Sequence, residues 1–470
     1  MDIKVENIDA WDEQEEQGSE YIITETEAAL EKSQPDEMPL EDEEDLSPVN
    51  ENIINDEVNV PSKDDADEDE DTEVYLGVVV PPEEYTPENV EIIKRNLVSK
   101  RNVKFCSDQF EGKSVSYSIV GVDVMPDAVT SLLDGVISDN GEFNKTVHVN
   151  SINILIDIGS GTTDMASIQG FDIIPDSTRQ FNIGTNDVFA DIAQEVERKY
   201  NCGYIETSFI SNVVRFPMGI CNECGLSSAT GKTCSCGGTF EMKRNRIRIG
   251  QKVFDISDIV NRVLNDKADS IASLFKRYLD TLIKVRGINK SALDTILIVG
   301  GGGELFGRLL KDKISDFVGE YAEVKKADRA VWRSLNGLGK YVQLKKSKSV
   351  KKFQRYVFVD VGNFATKAKL VDVSGKPLGK PIELITKIST PVDLGDFSLR
   401  KIHPMMDLFL DITSEDAEQA QIGDGEYFVS HLAAKGKNLK TRNALTLKTN
   451  DEMFYVMINA AIGVLLARDK

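Results

Sequence analysis

A chain of 470 residues with 41% hydrophobic content has room for more than one domain and for a full core, but a formal net charge of −23 is unusual for a globular protein. The charge is local. Residues 1–73 hold 29 Asp and Glu against 3 Lys, which leaves the rest of the chain at +3. No basic start followed by an apolar core opens the chain, so no secretory signal is expected and a cytoplasmic location is.

In chain order, residues 1–73 show no sustained apolar periodicity and end in the acidic run Asp64-Asp-Ala-Asp-Glu-Asp-Glu-Asp-Thr-Glu. Such a segment cannot bury enough apolar surface to offset its ordering entropy, and its charges repel, so a disordered tail is expected. It is either a solvating tail or an arm for a basic partner, a DNA-mimicking brake included. Val74-Tyr-Leu-Gly-Val-Val-Val then reads as a buried strand stopped by Pro81 and Pro82, followed by a helix from about Thr86 to Ser99. Strand-like runs follow at Val103–Cys106, Ser114–Val120 and Val122–Met125.

The stretch Ile154-Leu-Ile-Asp-Ile-Gly-Ser-Gly-Thr-Thr-Asp-Met-Ala delivers Asp157 into a glycine-rich turn and returns as a second apolar run. Glycines let backbone N–H groups wrap an anion, Ser and Thr add donors, and a carboxylate can hold a metal ion or its waters. Taken alone, this is either a phosphate cradle or an ordinary core hairpin. A second copy lies 203 residues on, in Val357-Phe-Val-Asp-Val-Gly-Asn-Phe-Ala-Thr-Lys, where Asp360, Gly362 and Thr366 answer Asp157, Gly159 and Thr163. A third glycine cluster, Gly300 to Gly303, follows the buried-strand run Ile296-Leu-Ile-Val and leads into a helix.

Between these motifs, Asp187 to Tyr200 reads as an amphipathic helix and Ile256 to Val285 as a longer helical stretch. Cys221-Asn-Glu-Cys-Gly and Cys234-Ser-Cys-Gly-Gly give two closely spaced cysteine pairs, each followed by glycine. Four thiolates at Cys221, Cys224, Cys234 and Cys236 match a closed tetrahedral zinc ribbon, expected over residues 217–241, while a disulfide reading needs an oxidising compartment. Cys106 and Cys202 are isolated and read as plain buried thiols. Lys243-Arg-Asn-Arg-Ile-Arg-Ile puts four basic residues in one strand-like run, either a solvated hairpin face or a surface for nucleic acid or an acidic partner. Lys345 to Lys352 carries five lysines without an apolar face and reads as a linker. Met453 to Ala467 is nearly all apolar but shorter than the roughly 20 residues that span a bilayer, so a buried helix is expected, and no membrane partner. None of His148, His403 and His431 sits in a pattern with a nucleophile, so a hydrolytic triad has no support.

With these motifs in place, most of residues 74 to 470 resembles the actin, heat-shock-chaperone and sugar-kinase superfamily of ATPases, and within it the bacterial actin-like proteins of the ParM type. Asp360-Val-Gly-Asn-Phe-Ala-Thr-Lys367 is similar to their first phosphate loop. Phe181-Asn-Ile-Gly-Thr-Asn-Asp resembles the segment after their second, and Ala327-Asp through Asn336-Gly337 the turn after their adenosine loop. The resemblance implies an α/β fold of two ribonuclease-H-like lobes closing on Mg-ATP. Asp157 and Asp360 would hold the magnesium. Gly159, Ser160, Gly161, Thr162 and Thr163, with Gly362, Asn363, Thr366 and Lys367, would grip the β- and γ-phosphates. Gly184 would belong to the same nucleotide site, and Gly300, Gly301, Gly302 and Gly303 would pack against adenosine. Asp127 falls where the family carries the Glu or Gln that orients the attacking water. It is one methylene shorter, which implies slow hydrolysis, and on its residue type alone it is equally a helix cap.

In that family the first phosphate loop opens the ATPase, whereas here it appears only after the lysine linker. The order implies a circular permutation: residues 353–470 as the first part of lobe I, 74–150 as its second part, 151–344 as lobe II, and 345–352 joining the family's old ends. The implied function is an ATPase whose filaments move plasmid or phage DNA, with copies of itself and a DNA-bound adaptor as partners. The alternatives are a non-polymerising switch of the same superfamily and a nucleic-acid or partner-binding adaptor that has lost hydrolysis.

Overall fold

The computed structural model describes residues 72–106, 112–139, 142, 151–216, 218–224, 227–228, 234–250, 252–347, 355–391, 407–414, 422–442 and 447–469. Of the expected tail, residues 1–71 lie outside the described residues, as do most of the lysine linker, His148 and His403, whereas Thr72 and Glu73, assigned to the tail, open β1. In chain order, β1 (Thr72–Val80) leads through a proline turn to α1 (Pro87–Leu97), β2 (Lys100–Phe105), β3 (Ser114–Pro126) and α2 (Asp127–Val136). Next come β4 (Ile152–Ile158), β5 (Thr163–Gln169), β6 (Asp172–Ile173), β7 (Arg179–Phe181), α3 (Thr185–Tyr200) and α4 (Thr207–Arg215). Short strands β8 (Met218–Cys221), β9 (Ser227–Ser228), β10 (Phe240–Lys243), β11 (Arg246–Ile249) and β12 (Lys252–Asp255) precede the long α5 (Ser257–Lys284). Then follow β13 (Leu293–Val299), α6 (Gly300–Val318), β14 (Glu323–Lys326) and α7 (Arg333–Ser347). The chain closes with β15 (Arg355–Val361), β16 (Ala365–Val371), β17 (Ile382–Ile385), β18 (Lys387–Thr390), β19 (Asp407–Ser414), β20 (Gly425–Ser430), β21 (Lys437–Thr441) and α8 (Glu452–Asp469).

Two mixed sheets carry the fold. The smaller runs β14-β13-β4-β5-β6, with β7 also on β5, and the larger runs β17-β16-β15-β1-β3-β2-β19-β20-β18-β21. The first five strands of the larger repeat the smaller. Each has an antiparallel hairpin (β4–β5, β15–β16), a strand outside its second arm (β7, β17), and two parallel strands beyond its first arm (β13 and β14, β1 and β3). Numbered by their order in the chain, the strands of the smaller sheet stand 3-2-1-4-5. In the larger sheet the two strands at places 4 and 5 come from the start of the chain.

The repeat holds at atomic detail. Gly159 N–H closes its turn on the Thr162 carbonyl at 2.8 Å and Gly362 N–H closes the other on Ala365 at 3.1 Å, the same positions 203 residues apart. Thr163 Oγ1 donates to the Ile183 carbonyl at 2.7 Å, and its counterpart Thr366 bonds the Thr386 hydroxyl at 3.0 Å, again at the same offset.

Packing follows from the apolar pattern. The isoleucines of β4 and β13 pack with α3, α5 and α6 in one core. Against the larger sheet lies α8, buried along Met453–Ala467, which is why its sequence is apolar all round. Asn459 inside it accepts from Tyr117 Oη at 2.8 Å and donates to the Tyr455 carbonyl at 3.0 Å, so its amide is satisfied. Most of helix α7 falls within the expected lobe II, 151–344, yet its Leu335, Leu338 and Val342 pack with Tyr75, Val79 and Phe358 of the larger sheet. At Gly337 an added Cβ would stand 1.6 Å from the Thr130 carbonyl oxygen, so α7 crosses α2 at backbone distance.

Three local expectations change. The two runs before Met125 form one strand, β3, which passes through Gly121 because the Tyr75 ring fills the space a side chain would need there. The basic run after the cysteines is broken: Asn245, at φ 56°, turns the chain between β10 and β11. Lys345 to Ser347, assigned to the linker, continue α7.

Candidate functional site

The two hairpin tips and the third glycine turn meet at one cleft. Asp157, Gly159, Ser160 and Thr162 line it from one side, and Asp360, Gly362, Asn363 and Lys367 from the other. Gly300 and Gly301 close the end, and Asp127 enters from the first turn of α2. The tips nearly touch, since a Cβ on Gly161 would lie 3.9 Å from Asn363 Nδ2. Gly300 has φ 81°, and a Cβ there would stand 2.1 Å from Asp157 Oδ1, so only glycine fits. The N-cap of α6, Val299, offers no side-chain cap, which leaves backbone N–H groups facing the cleft as helix starts leave them for anions.

Other expected residues stand one layer back. Thr163 and Thr366 are buried with their hydroxyls bonded within the protein, so they brace the turns. Gly184 packs on the Ser160 carbonyl, with its N–H on Asp187 Oδ2 at 2.8 Å. Gly302 and Gly303 let α6 lie on Ile158 and Ile298.

The cleft gathers carboxylates in a dry setting. Burial, opposed by Lys367 and assisted by Asp360, pushes Asp157 up to about 6. Burial and then Asp157 push Asp164 up to about 7, and its Oδ1 is buried with no hydrogen-bond partner. Burial and then Asp157 and Asp164 raise Asp127 well above the ordinary carboxylate value. Helix α2 has Pro126 at its N-cap position and Asp127 as its first residue, so Asp127 is not the cap. Lys367 Nζ stands 3.6 Å from Asp360 Oδ2, and Ser334 Oγ donates to the same carboxylate at 3.4 Å. Mutually repelling oxygen donors with one orphaned oxygen fit a bound divalent cation, and turns closed by the Gly159 and Gly362 N–H groups, which leave the next N–H groups at each tip facing the cleft, fit a phosphate chain.

Sequence reasoning missed several lining residues: Asp164, Gln180, Thr185, Arg215, Ser334, Arg442 and Lys448. Asp164 stood in the Thr-Thr-Asp of the first motif and was readable. Arg442 and Lys448 reach the cleft only through tertiary folding.

A second site is the cysteine cluster. The Sγ atoms of Cys221, Cys224, Cys234 and Cys236 all lie within 4.8 Å of one another, with Cys221–Cys236 at 3.4 Å and Cys224–Cys234 at 3.5 Å. A disulfide needs about 2.05 Å, whereas thiolates at about 2.3 Å around a tetrahedral zinc stand about 3.8 Å apart. The backbone N–H of Cys224 leads the effects that push the Cys221 thiol down to about 6. Gly237, directly after the second pair, turns the chain at φ 90°, and the next residue, Gly238, packs on Cys221 Sγ where a Cβ would be only 2.6 Å away. The cluster is able to hold a metal ion. Cys106 and Cys202 stand apart, half-buried. Lys243 pairs with Glu241 at 2.5 Å and Arg246 with Asp255 at 3.8 Å, so half of the basic run is answered locally. Among the described residues no helix is long and apolar enough to cross a membrane.

By its paired sheets, repeated hairpins and shared cleft, the chain has the actin-like two-lobed α/β architecture. No family model matches it, and no curated protein does. Among solved structures it is similar to an archaeal actin homolog, at 16% identity over 58% of this chain and 70% of that one, TM-score 0.40. It is similar also to the apo pSK41 ParM protein, at 17% identity over 59% and 64%, TM-score 0.38. A Bacillus thuringiensis ParM hybrid protein with ADP, containing two ParM mutants, aligns at 16% identity over 84% of this chain and 50% of that one, TM-score 0.38.

Proposed function

We propose that the protein is an actin-like ATPase that binds Mg-ATP between its two hairpin tips and assembles with copies of itself into nucleotide-dependent filaments that position plasmid or phage DNA. The observation that carries the reading is the convergence of two identically closed hairpins, each led by an aspartate, with the Gly300 turn on a single cleft. Asp157 and Asp360 hold the magnesium and its waters. With the Gly159 and Gly362 N–H groups closing the turns, those of Ser160 to Thr162 and of Asn363 take phosphate oxygens, Lys367 neutralises phosphate charge, and Gly300 and Gly301 face the nucleoside. The cation, when bound, supplies charge stabilisation on the transferring phosphoryl group. Asp127 orients the attacking water, so its carboxylate must be ionised, which a neighbouring cation favours. The protein's share of the chemistry is positioning and electrostatics.

The cysteine cluster holds zinc as a structural ion. A DNA-bound adaptor and a basic partner for the acidic tail complete the reading, which places the protein in the cytoplasm. ATP-dependent pelleting with electron microscopy of the purified protein tests it, with Asp157→Ala as control. Filaments with MgATP and none with the variant are expected. Absence of MgATP binding would remove the reading, and binding without assembly would leave a nucleotide switch.

A further inference from the structure

Lys448 opens the short turn Lys448–Asn450 that leads into α8, far in sequence from any glycine motif, and is 4% exposed. It lines the cleft with Asp127, Asp157 and Asp360. Its Nζ donates to the Val79 carbonyl at 2.9 Å and stands 5.5 Å from the centre of the Phe454 ring. An ammonium has three N–H donors, so two have no hydrogen-bond partner among the described residues. Its backbone is fixed in place: Lys448 N–H donates to Glu84 Oε2 at 2.7 Å. Glu84 also pairs with Arg442 at 3.6 Å, and Arg442 bonds Asp451 at 3.1 Å. Arg442 is thus answered by two carboxylates at contact distance, while the Lys448 ammonium meets none. A buried cation held this way is costly unless an anion completes it.

We propose that Lys448 binds the terminal phosphate of the nucleotide and so lets the cleft distinguish a triphosphate from a diphosphate. This rests on the nucleotide reading of the cleft. Lys448 and Asp127 line the same cleft, and Asp127 is the residue assigned to the attacking water, so the phosphate that Lys448 holds is the one attacked. In hydrolysis the water oxygen bonds to the γ-phosphorus as the bridging P–O bond breaks. The electron pair leaves on the diphosphate and the water's proton ends on the released phosphate. The ammonium meets the charge on the γ-oxygens throughout.

The test compares MgATP and MgADP affinity and single-turnover hydrolysis in wild-type protein, Lys448→Met and Lys448→Gln. Glutamine keeps an N–H for the Val79 carbonyl and discards the charge. Both variants are expected to lose about tenfold in ATP affinity, to bind ADP within about twofold of wild type, and to hydrolyse about 100-fold more slowly. Recovery of ATP preference and turnover in Lys448→Gln would assign Lys448 a structural role and overturn the proposal. If wild type binds MgATP, Asp157→Ala does not, and the Lys448 variants keep the ATP-to-ADP ratio, this proposal alone falls. If wild type binds neither nucleotide, the cleft reading falls with it.

Discussion

Arg355 Nε donates to Asp469 Oδ2 at 2.8 Å, tying the first residue of β15 to the last residue of α8. Arg355 is also the register partner of Val74 in β1, so the end of the last helix lies at the end of the larger sheet where β1 and β15 begin. Val74 and Leu466 share one core. This supports a circular permutation, as does the strand order, in which places 4 and 5 of the larger sheet are filled from the start of the chain. A rewired protein should therefore fold: residues 1–73 removed, Lys470 joined through a short flexible linker to Val74, and new ends opened near Ser347. The cut removes Thr72 and Glu73, the first two rungs of β1, but no core residue, and loop-closure entropies differ only logarithmically with length. The expected outcome is a cooperative thermal transition with MgATP affinity within a few-fold of the parent. An unfolded or non-binding product would refute the permutation.

Asp157→Ala and Asp360→Ala should each abolish Mg-dependent ATP turnover, because each removes a carboxylate from one side of the cleft and leaves the cation misplaced against the phosphates. Asp127→Ala should behave differently, slowing turnover by about 100-fold or more with little change in ATP affinity, since orienting water matters in the transition state. Steady-state hydrolysis alongside equilibrium binding separates the cases. Normal turnover in both metal-side variants would refute the site, and weaker binding with normal turnover would give Asp127 another task.

Motifs that are local in sequence were legible, and residues brought in by packing were not. The two hairpins could be read because glycine turns, a leading aspartate and flanking apolar runs all fall within about a dozen residues. The same holds for the cysteine pairs and for α8, whose uniform apolarity gives its burial away. Thr163 was readable as a turn residue, but the orientation of its hydroxyl depends on Ile183, twenty residues on. Helix α7 follows the smaller sheet in the chain yet packs on the larger, because Gly337 gives it a backbone-distance crossing over α2 that no local pattern encodes. Lys448 carries no motif, and only the fold brings it to Val79 and Glu84.

The carboxylates make the stability of the nucleotide-free protein depend on pH. Asp164 rises from 3.8 to about 7 on folding and Asp157 to about 6, so between those values the folded chain binds more protons than the unfolded one. Stability is therefore greatest below pH 3.8 as far as these groups are concerned, and it is lost as pH rises through about 7. Asp164→Asn removes one of the two charges and leaves Thr162 a carbonyl or amide partner. Thermal melts of the nucleotide-free protein from pH 5 to pH 8 should show a shallower decline in the variant, with a Tm a few degrees above wild type at about pH 8. Parallel curves would show that Asp164 is ionised at no cost.

The cysteine cluster makes a prediction that is local by construction. The strands β8, β9 and β10 span two to four residues each, and an excursion this small has too little core to order itself without a metal. Just beyond it, Ile247 is 1% exposed in the core of the smaller lobe, and the Phe254 and Tyr200 rings lie 4.4 Å apart. Loss of the metal should therefore melt the chain between about Phe216 and Asn245 and stop there. We expect one zinc per chain in protein purified without chelator, absent from Cys221→Ser and Cys234→Ser. Those variants should gain protease cleavage within the excursion, while MgATP affinity stays within about twofold, because the cleft draws none of its lining residues from this segment. Metal analysis that finds no zinc, or a disulfide between these cysteines in the cell, would defeat the zinc assignment; global unfolding on zinc removal would show instead that the ribbon is part of the lobe's own core.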